Sequence, residues 1–102
     1  MHVYKVIVSN KASSDLDAMV EYISSLYRPE SGHNYVDRVL GQLAALSYTA
    51  DVYPLSRMTT AKRIDPHAKT LSIINHRWMA MCHIDGDFVV VDRIIPSKMM
   101  VD

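Results

Sequence analysis

The sequence predicts an α+β fold in the order β-α-α-β-β-β, with a helical hairpin packed on an antiparallel sheet. Three observations predict it. Apolar residues alternate near the N-terminus, at Tyr4, Val6 and Val8. They then recur every three or four residues from Leu16 to about Tyr48. Alternation returns between Thr70 and Ile95. A period of two marks strands and a period near 3.6 marks amphipathic helices, so the chain changes from strand to helix and back.

Taken in order, Val3 to Ser9 is rich in β-branched residues and reads as the first strand. Ser9 or Asn10 can accept a backbone N–H bond and cap the following helix. In that helix Leu16, Met19, Val20, Ile23 and Leu26 form one apolar stripe. Asp15, Asp17 and Glu21 lie off or beside the stripe, where acids in the early turns suit the helix dipole. Arg28-Pro29-Glu30-Ser31-Gly32 is expected to stop the helix and turn the chain. The second helix is expected from about His33 to Tyr48, with Val36, Val39, Leu40, Leu43 and Leu46 inward. A turn this short favours an antiparallel hairpin.

Asp51 to Lys69 is the least regular and most basic stretch, with Arg57, Lys62, Arg63, His67 and Lys69. It reads as a long connection with a short extended piece at Thr60–Ile64. A meander follows. Leu71 and Ile73 share one face of its first strand, and Thr70, Ser72 and Ile74 the other. His76-Arg77 is the tight connection onward. In the next strand Trp78, Ala80, Cys82 and Ile84 oppose Met79, Met81 and His83. Both faces are nearly apolar, which predicts a central strand covered on more than one side. Asp85-Gly86 is a strong hairpin signal. Phe88 to Ile95 is the last strand, and Pro96 ends it.

The whole chain, residues 1–102, is of one-domain length and needs neither disulfides nor metal to hold a core. Eleven basic and eleven acidic residues cancel. Grip on a phosphate backbone draws on basic excess, so direct nucleic-acid binding is disfavoured. The single cysteine, Cys82, cannot form an internal disulfide and reads as a small buried hydrophobe. No signal peptide and no apolar run of membrane-spanning length is visible. A cytoplasmic protein without membrane contact is expected.

Residues with chemical potential are few. The five histidines show no HxxxH or HExxH spacing and no CxxC accompanies them, so no metal is expected. No GxSxG elbow, GxGxxG turn or P-loop is present, and no cofactor is implied. Basic residues gather near the expected sheet: Lys62, Arg63, His67, His76, Arg77, His83, Arg93 and Lys98. RNA cleavage through its own 2′-hydroxyl needs a base, a cation for the phosphate and an acid. His83, Arg93 and Lys98 are the candidates for these roles if the chain is a nuclease. The plainer reading makes His83 a half-buried strand histidine and Lys98 a solvated lysine. Asp92 and Arg93, as neighbours in a strand, are expected on opposite faces. Met79, Met81, Met99 and Met100 are candidates for an adaptable binding surface, although core packing accounts for a methionine on a covered strand equally well.

Val8-Ser9-Asn10-Lys11-Ala12 with Asp15-Leu16 and Tyr22-Ile23, Val36-Asp37-Arg38-Val39-Leu40 with Tyr53-Pro54-Leu55, and Phe88 to Ile95 together resemble the RelE/ParE family of toxins from type II toxin–antitoxin pairs. The likeness spans almost the whole chain as a pattern rather than a rigid motif. It implies a bacterial toxin, often linked to plasmid stabilisation, that inhibits growth and is neutralised by a cognate antitoxin. Ribonuclease members of the RelE kind carry lysines where this chain has Thr70 and Ser72, and an arginine where it has Met79. Of that basic set only Lys98 has a counterpart. The resemblance therefore points to the ParE-like branch, which acts by binding DNA gyrase and needs no cleavage site.

Three readings stand. The first is a ParE-like toxin that holds a protein target, with Met79, Met81, Arg93, Lys98, Met99 and Met100 as the partner-binding residues. The second is a RelE-like, ribosome-dependent mRNA endoribonuclease with a rearranged site. The third is a non-toxic family member acting as a binding module. Nucleic acid enters only through the ribosome or an antitoxin complex.

Overall fold

The computed structural model describes residues 2–100. The chain runs β1 (Lys5–Val8), α1 (Asn10–Leu26), α2 (Pro29–Ala44), a short α3 (Leu46–Thr49), α4 (Thr59–Ile64), β2 (Lys69–Ile73), β3 (Trp78–Asp85) and β4 (Phe88–Pro96). The strands form one sheet in the order β1-β4-β3-β2. The expected meander is present, with β3 antiparallel to both β2 and β4. β1 lies parallel to β4, with Lys5 opposite Phe88 and Val8 opposite Val91. A parallel pair cannot be joined by a tight turn, so the long path through the helices and the meander is a necessity of this topology.

The predicted stripes build the core. Leu16, Met19 and Ile23 of α1 and Val36, Val39 and Leu43 of α2 pack against Leu71, Ala80, Cys82, Val89 and Val91 of the sheet. Leu26 and Leu40, assigned to those stripes by spacing, are instead exposed at 54% and 39%. On the opposite sheet face a smaller cluster joins Ala61, Ala68, Met81 and Ile95. β3 is thus central and covered on both sides, as its apolar faces imply.

Ser9 supplies the helix cap: its hydroxyl accepts from Ala12 N at 3.1 Å and donates to Asp92 O at 2.9 Å. One side chain therefore ends β1, starts α1 and ties both to β4.

Three local expectations are corrected. The turn between the helices is confined to Tyr27 and Arg28, and Pro29 to Gly32 already belong to α2. Proline suits a first helical turn because its missing N–H has no partner there anyway. The second helix breaks at Ala45, and Leu46 to Thr49 form a separate turn of helix. Thr60–Ile64 is helical rather than extended. Its Ala61 packs into the outer cluster while Lys62 and Arg63 sit in the last turn, favourable for the dipole.

The connection between β2 and β3 is strained. Ile74, Asn75 and His76 have φ of 50°, 53° and 65°. Non-glycine residues in this region cost energy, most of all a β-branched one. The twist turns Ile74 away from the face that alternation assigns to it and into the main core. Its N–H donates to Gln42 Oε1 at 3.0 Å. Ser97 clamps the turn from β4's end: its N–H donates to Arg77 O at 3.0 Å and its hydroxyl to His76 O at 2.5 Å.

Gly32 is where the hairpin helices touch. A Cβ there would overlap the Val20 carbonyl oxygen and the Ser24 hydroxyl, whereas one on Gly41 would meet nothing. Gly32→Ala should therefore destabilise the fold by about 1–3 kcal/mol in urea unfolding, the usual range for overpacking. Gly41→Ala should instead stabilise it by roughly 0.5–1 kcal/mol through helix propensity.

Candidate functional site

β1 is only four residues long and ends opposite Val91. Beyond that point the outer half of β4 keeps β3 on one edge but has no strand on the other, where α1 runs instead. Asp15, early in α1, fills the gap. Its Oδ2 accepts from Ile94 N at 2.9 Å and Arg93 Nε at 2.8 Å, and its Oδ1 accepts from the second guanidinium arm at 3.0 Å. The carboxylate raises the Arg93 pKa, first through this hydrogen bond, with burial opposing. Arg93 is thus neutralised and fixed rather than free to grip a phosphate.

A bulge brings Arg93 to this position. The register passes from Met81 opposite Arg93 to Cys82 opposite Val91, leaving Asp92 as the extra residue. The helix-side core accordingly changes from Val89 and Val91 to Ile94. Strict alternation between Asp92 and Arg93 fails, and both line one hollow of about 420 Å³ with Lys11 and Arg63. Asp92 also lies 2.7 Å from His83 Nδ1, and Asp65 lies 3.9 Å from the same nitrogen.

Between α1 and the free end of β4 lies a groove. Its upper part, about 300 Å³, is bounded by Asp15, Met19, Tyr22, Trp78, Ile94 and Met99. Its lower part, about 460 Å³, continues over Trp78 to Tyr35, His76, Arg77 and Lys98. Tyr22 is 57% exposed. Trp78 is half-buried, with its indole N–H donating to Tyr35 OH at 2.8 Å. The floor is therefore a tethered aromatic surface bordered by cations.

The residues singled out by sequence divide into separate places. Arg93, Met99 and Lys98 border the groove. Met81 is fully buried and Met100 packs beside it in the outer cluster. Met81 therefore offers nothing to a docking partner, because α4 and Ala68 already cover it. Met79 is half-buried and accepts from the Ser72 hydroxyl at 3.4 Å. His83 belongs to the carboxylate cluster, apart from Lys98 and Arg93's guanidinium bonds. No group of three or more metal-ligating side chains exists among the described residues. No helix among them is long and apolar enough to cross a membrane.

Sequence reasoning missed Asp15, Tyr22 and Tyr35. The early-turn acid read as a dipole partner, and the two tyrosines lie off the apolar stripes with nothing in their spacing to join them to Trp78.

No protein-family model and no curated protein matches the sequence. Solved structures do. One is a chain of the chromosomal ParDE toxin–antitoxin system from P. aeruginosa, 22% identical over 94% of this chain and 98% of that one, with a TM-score of 0.78. Another is from the toxin–antitoxin complex RelBE2 of Mycobacterium tuberculosis, 20% identical over 92% of this chain and 98% of that one, with a TM-score of 0.51. The fold is RelE/ParE-like.

On this RelE/ParE-like sheet, three of the positions that the resemblance links to nuclease chemistry, Thr70, Ser72 and Met79, carry no cation. Thr70 bonds to Ser56 at 3.5 Å, Ser72 bonds to Met79, and Met79 pairs with Ile95. Cys82, on the helix side, is buried, and burial pushes its thiol up to about 11 from 9.0, with Asp92 adding to the rise.

Two outcomes follow. Asp15→Ala leaves Ile94 N and Arg93 without their partner and should cost about 1–3 kcal/mol in chemical denaturation. For Cys82, the folded state keeps its proton until about 11 while the unfolded thiol loses it near 9.0. Deprotonation therefore favours unfolding, and stability should fall as pH rises between those values. Thermal unfolding across that window, compared with Cys82→Ala, measures the thiol's share.

Proposed function

We propose that this chain is a toxin domain of a type II toxin–antitoxin pair, ParE-like in acting on a protein target, with DNA gyrase the leading candidate. The observation that carries this reading is the state of the cations. Arg93 is held by Asp15, and Thr70, Ser72 and Met79 leave the sheet face without charge to draw RNA in. A developing phosphorane charge needs preorganised donors, and these residues supply no cation for it. The overall fold likeness to a ParDE chain supports the same branch. The apolar groove bordered by Tyr22, Trp78 and Met99 supports a partner held by contact, and an antitoxin is the expected occupant of such a surface in the cytoplasm.

A second reading rests on one specific pair. His83 and Asp92, at 2.7 Å, have the geometry of an oriented base. In an endoribonuclease of the RelE kind this dyad would take the 2′-hydroxyl proton.

Induced expression separates the two. A protein-directed toxin should raise a DNA-damage response before protein synthesis falls. Growth arrest without DNA damage would remove gyrase as the target, and soluble folded protein causing no arrest would favour a non-toxic binding module. In a ribosome-programmed mRNA assay, the purified chain should cut no faster than its His83→Ala or Lys98→Ala variants. Codon-specific cleavage lost in either variant would establish the nuclease reading.

A further inference from the structure

The lower groove carries charge of one sign among its described residues. The chain carries eleven acids and eleven bases in all. Yet, among the described residues, the surface running from Lys98 over Trp78 to Tyr35 is lined by Arg77, Lys98 and His76 and by no carboxylate. The adjoining hollow on the hairpin shares Tyr35 and adds Tyr27 and Arg38, again without an acid among those residues. Where the groove continues upward, the carboxylate present, Asp15, is consumed by Arg93 and Ile94 N. Among the described residues, the cations here have no such partner in the lining.

The aromatic floor is fixed. Trp78 is tethered to Tyr35, and Ser97 locks the left-handed turn that presents His76 and Arg77 beside Lys98. Strand addition is disfavoured at this edge. Ile94 N already donates to Asp15, the Asp92 carbonyl already accepts from Ser9, and Pro96 has no N–H. The free end of β4 therefore lacks a donor for another backbone. Occupants must be recognised by side chains.

We infer that this groove binds an acidic peptide segment, with apolar side chains seated on Trp78 and Tyr22 and carboxylates meeting Arg77 and Lys98. Fixed aromatics provide anchor surface at low entropic cost, and flanking charges provide orientation and rate. The inference names the chemistry of the partner segment and rests on the binding reading above for its source. A nucleic-acid strand would use the same cations and aromatics; the chain's balanced charge favours the peptide.

Trp78 is the only tryptophan in the chain, so its emission reports on the groove directly. Short random peptides lacking tryptophan are displayed and selected against the folded protein. Enriched peptides should combine Asp or Glu with Leu or Phe and shift Trp78 emission saturably. Binding should weaken about tenfold or more in the Arg77→Glu/Lys98→Glu double variant, and weaken with added salt. Arg77 contributes only backbone atoms to the clamp, so the variant should melt as the parent does; Arg77→Gln/Lys98→Gln is the milder pair if it does not. Enrichment of peptides without acids, binding indifferent to both pairs, no enrichment, or an emission shift with single-stranded oligonucleotide alone would each overturn the inference. Growth arrest with DNA damage alongside any of these would leave the proposed function standing.

Discussion

The carboxylate of Asp15 carries more of this structure than any other single group. β1 is too short to accompany β4 to its end, so half of the last strand would present an open edge. Asp15 closes it by accepting from Ile94 N while holding the guanidinium of Arg93. A charge-assisted, forked contact of this kind sets position as well as energy. It fixes the angle at which α1 crosses the sheet, and with it the wall of the groove. Ser9, at the start of the same helix, reads the strand through the Asp92 carbonyl. Two points of α1, its cap and its second turn, thus hold three consecutive residues of β4.

The bulge at Asp92 is the second half of this arrangement. Without the extra residue, alternation from Val91 would turn Arg93 into the apolar space between sheet and helices. With it, Ile94 takes that place, and Asp92 and Arg93 share a polar hollow. The same extra residue brings Asp92 against His83. One irregularity therefore explains why two charged neighbours can sit in the middle of an otherwise apolar strand.

How much of this could be read from sequence depends on the range of the interactions involved. Elements set by repeating apolar spacing were legible: both long helices, the central position of β3, and the Asp85-Gly86 hairpin. Pro29 misled because proline both breaks helices and begins them, and only the position of the preceding helix end distinguishes the two. Thr60–Ile64 has too few apolar residues for either period to emerge, and its helix is decided by packing on Met81. The bulge is not legible, because the Asp92-Arg93 pair that interrupts the apolar run fits ordinary alternation equally well. Of the expected site residues, Arg93, Lys98 and Met99 were found beside the groove. Met81 was not available there, since an apolar strand residue cannot reveal which covering segment reaches it.

The close approach at Gly32 has a consequence for the groove as well as for stability. Val20 and Ser24, which a side chain at position 32 would displace, flank Tyr22 and Ile23 on α1. Tyr35 lies one turn beyond Gly32 on α2, and it is the acceptor that holds the Trp78 indole. The gap between the two tyrosines therefore follows from how near the helices come. The breadth of the groove is set by a missing methyl group in the hairpin's interior, so its shape can change while every residue exposed along it stays the same.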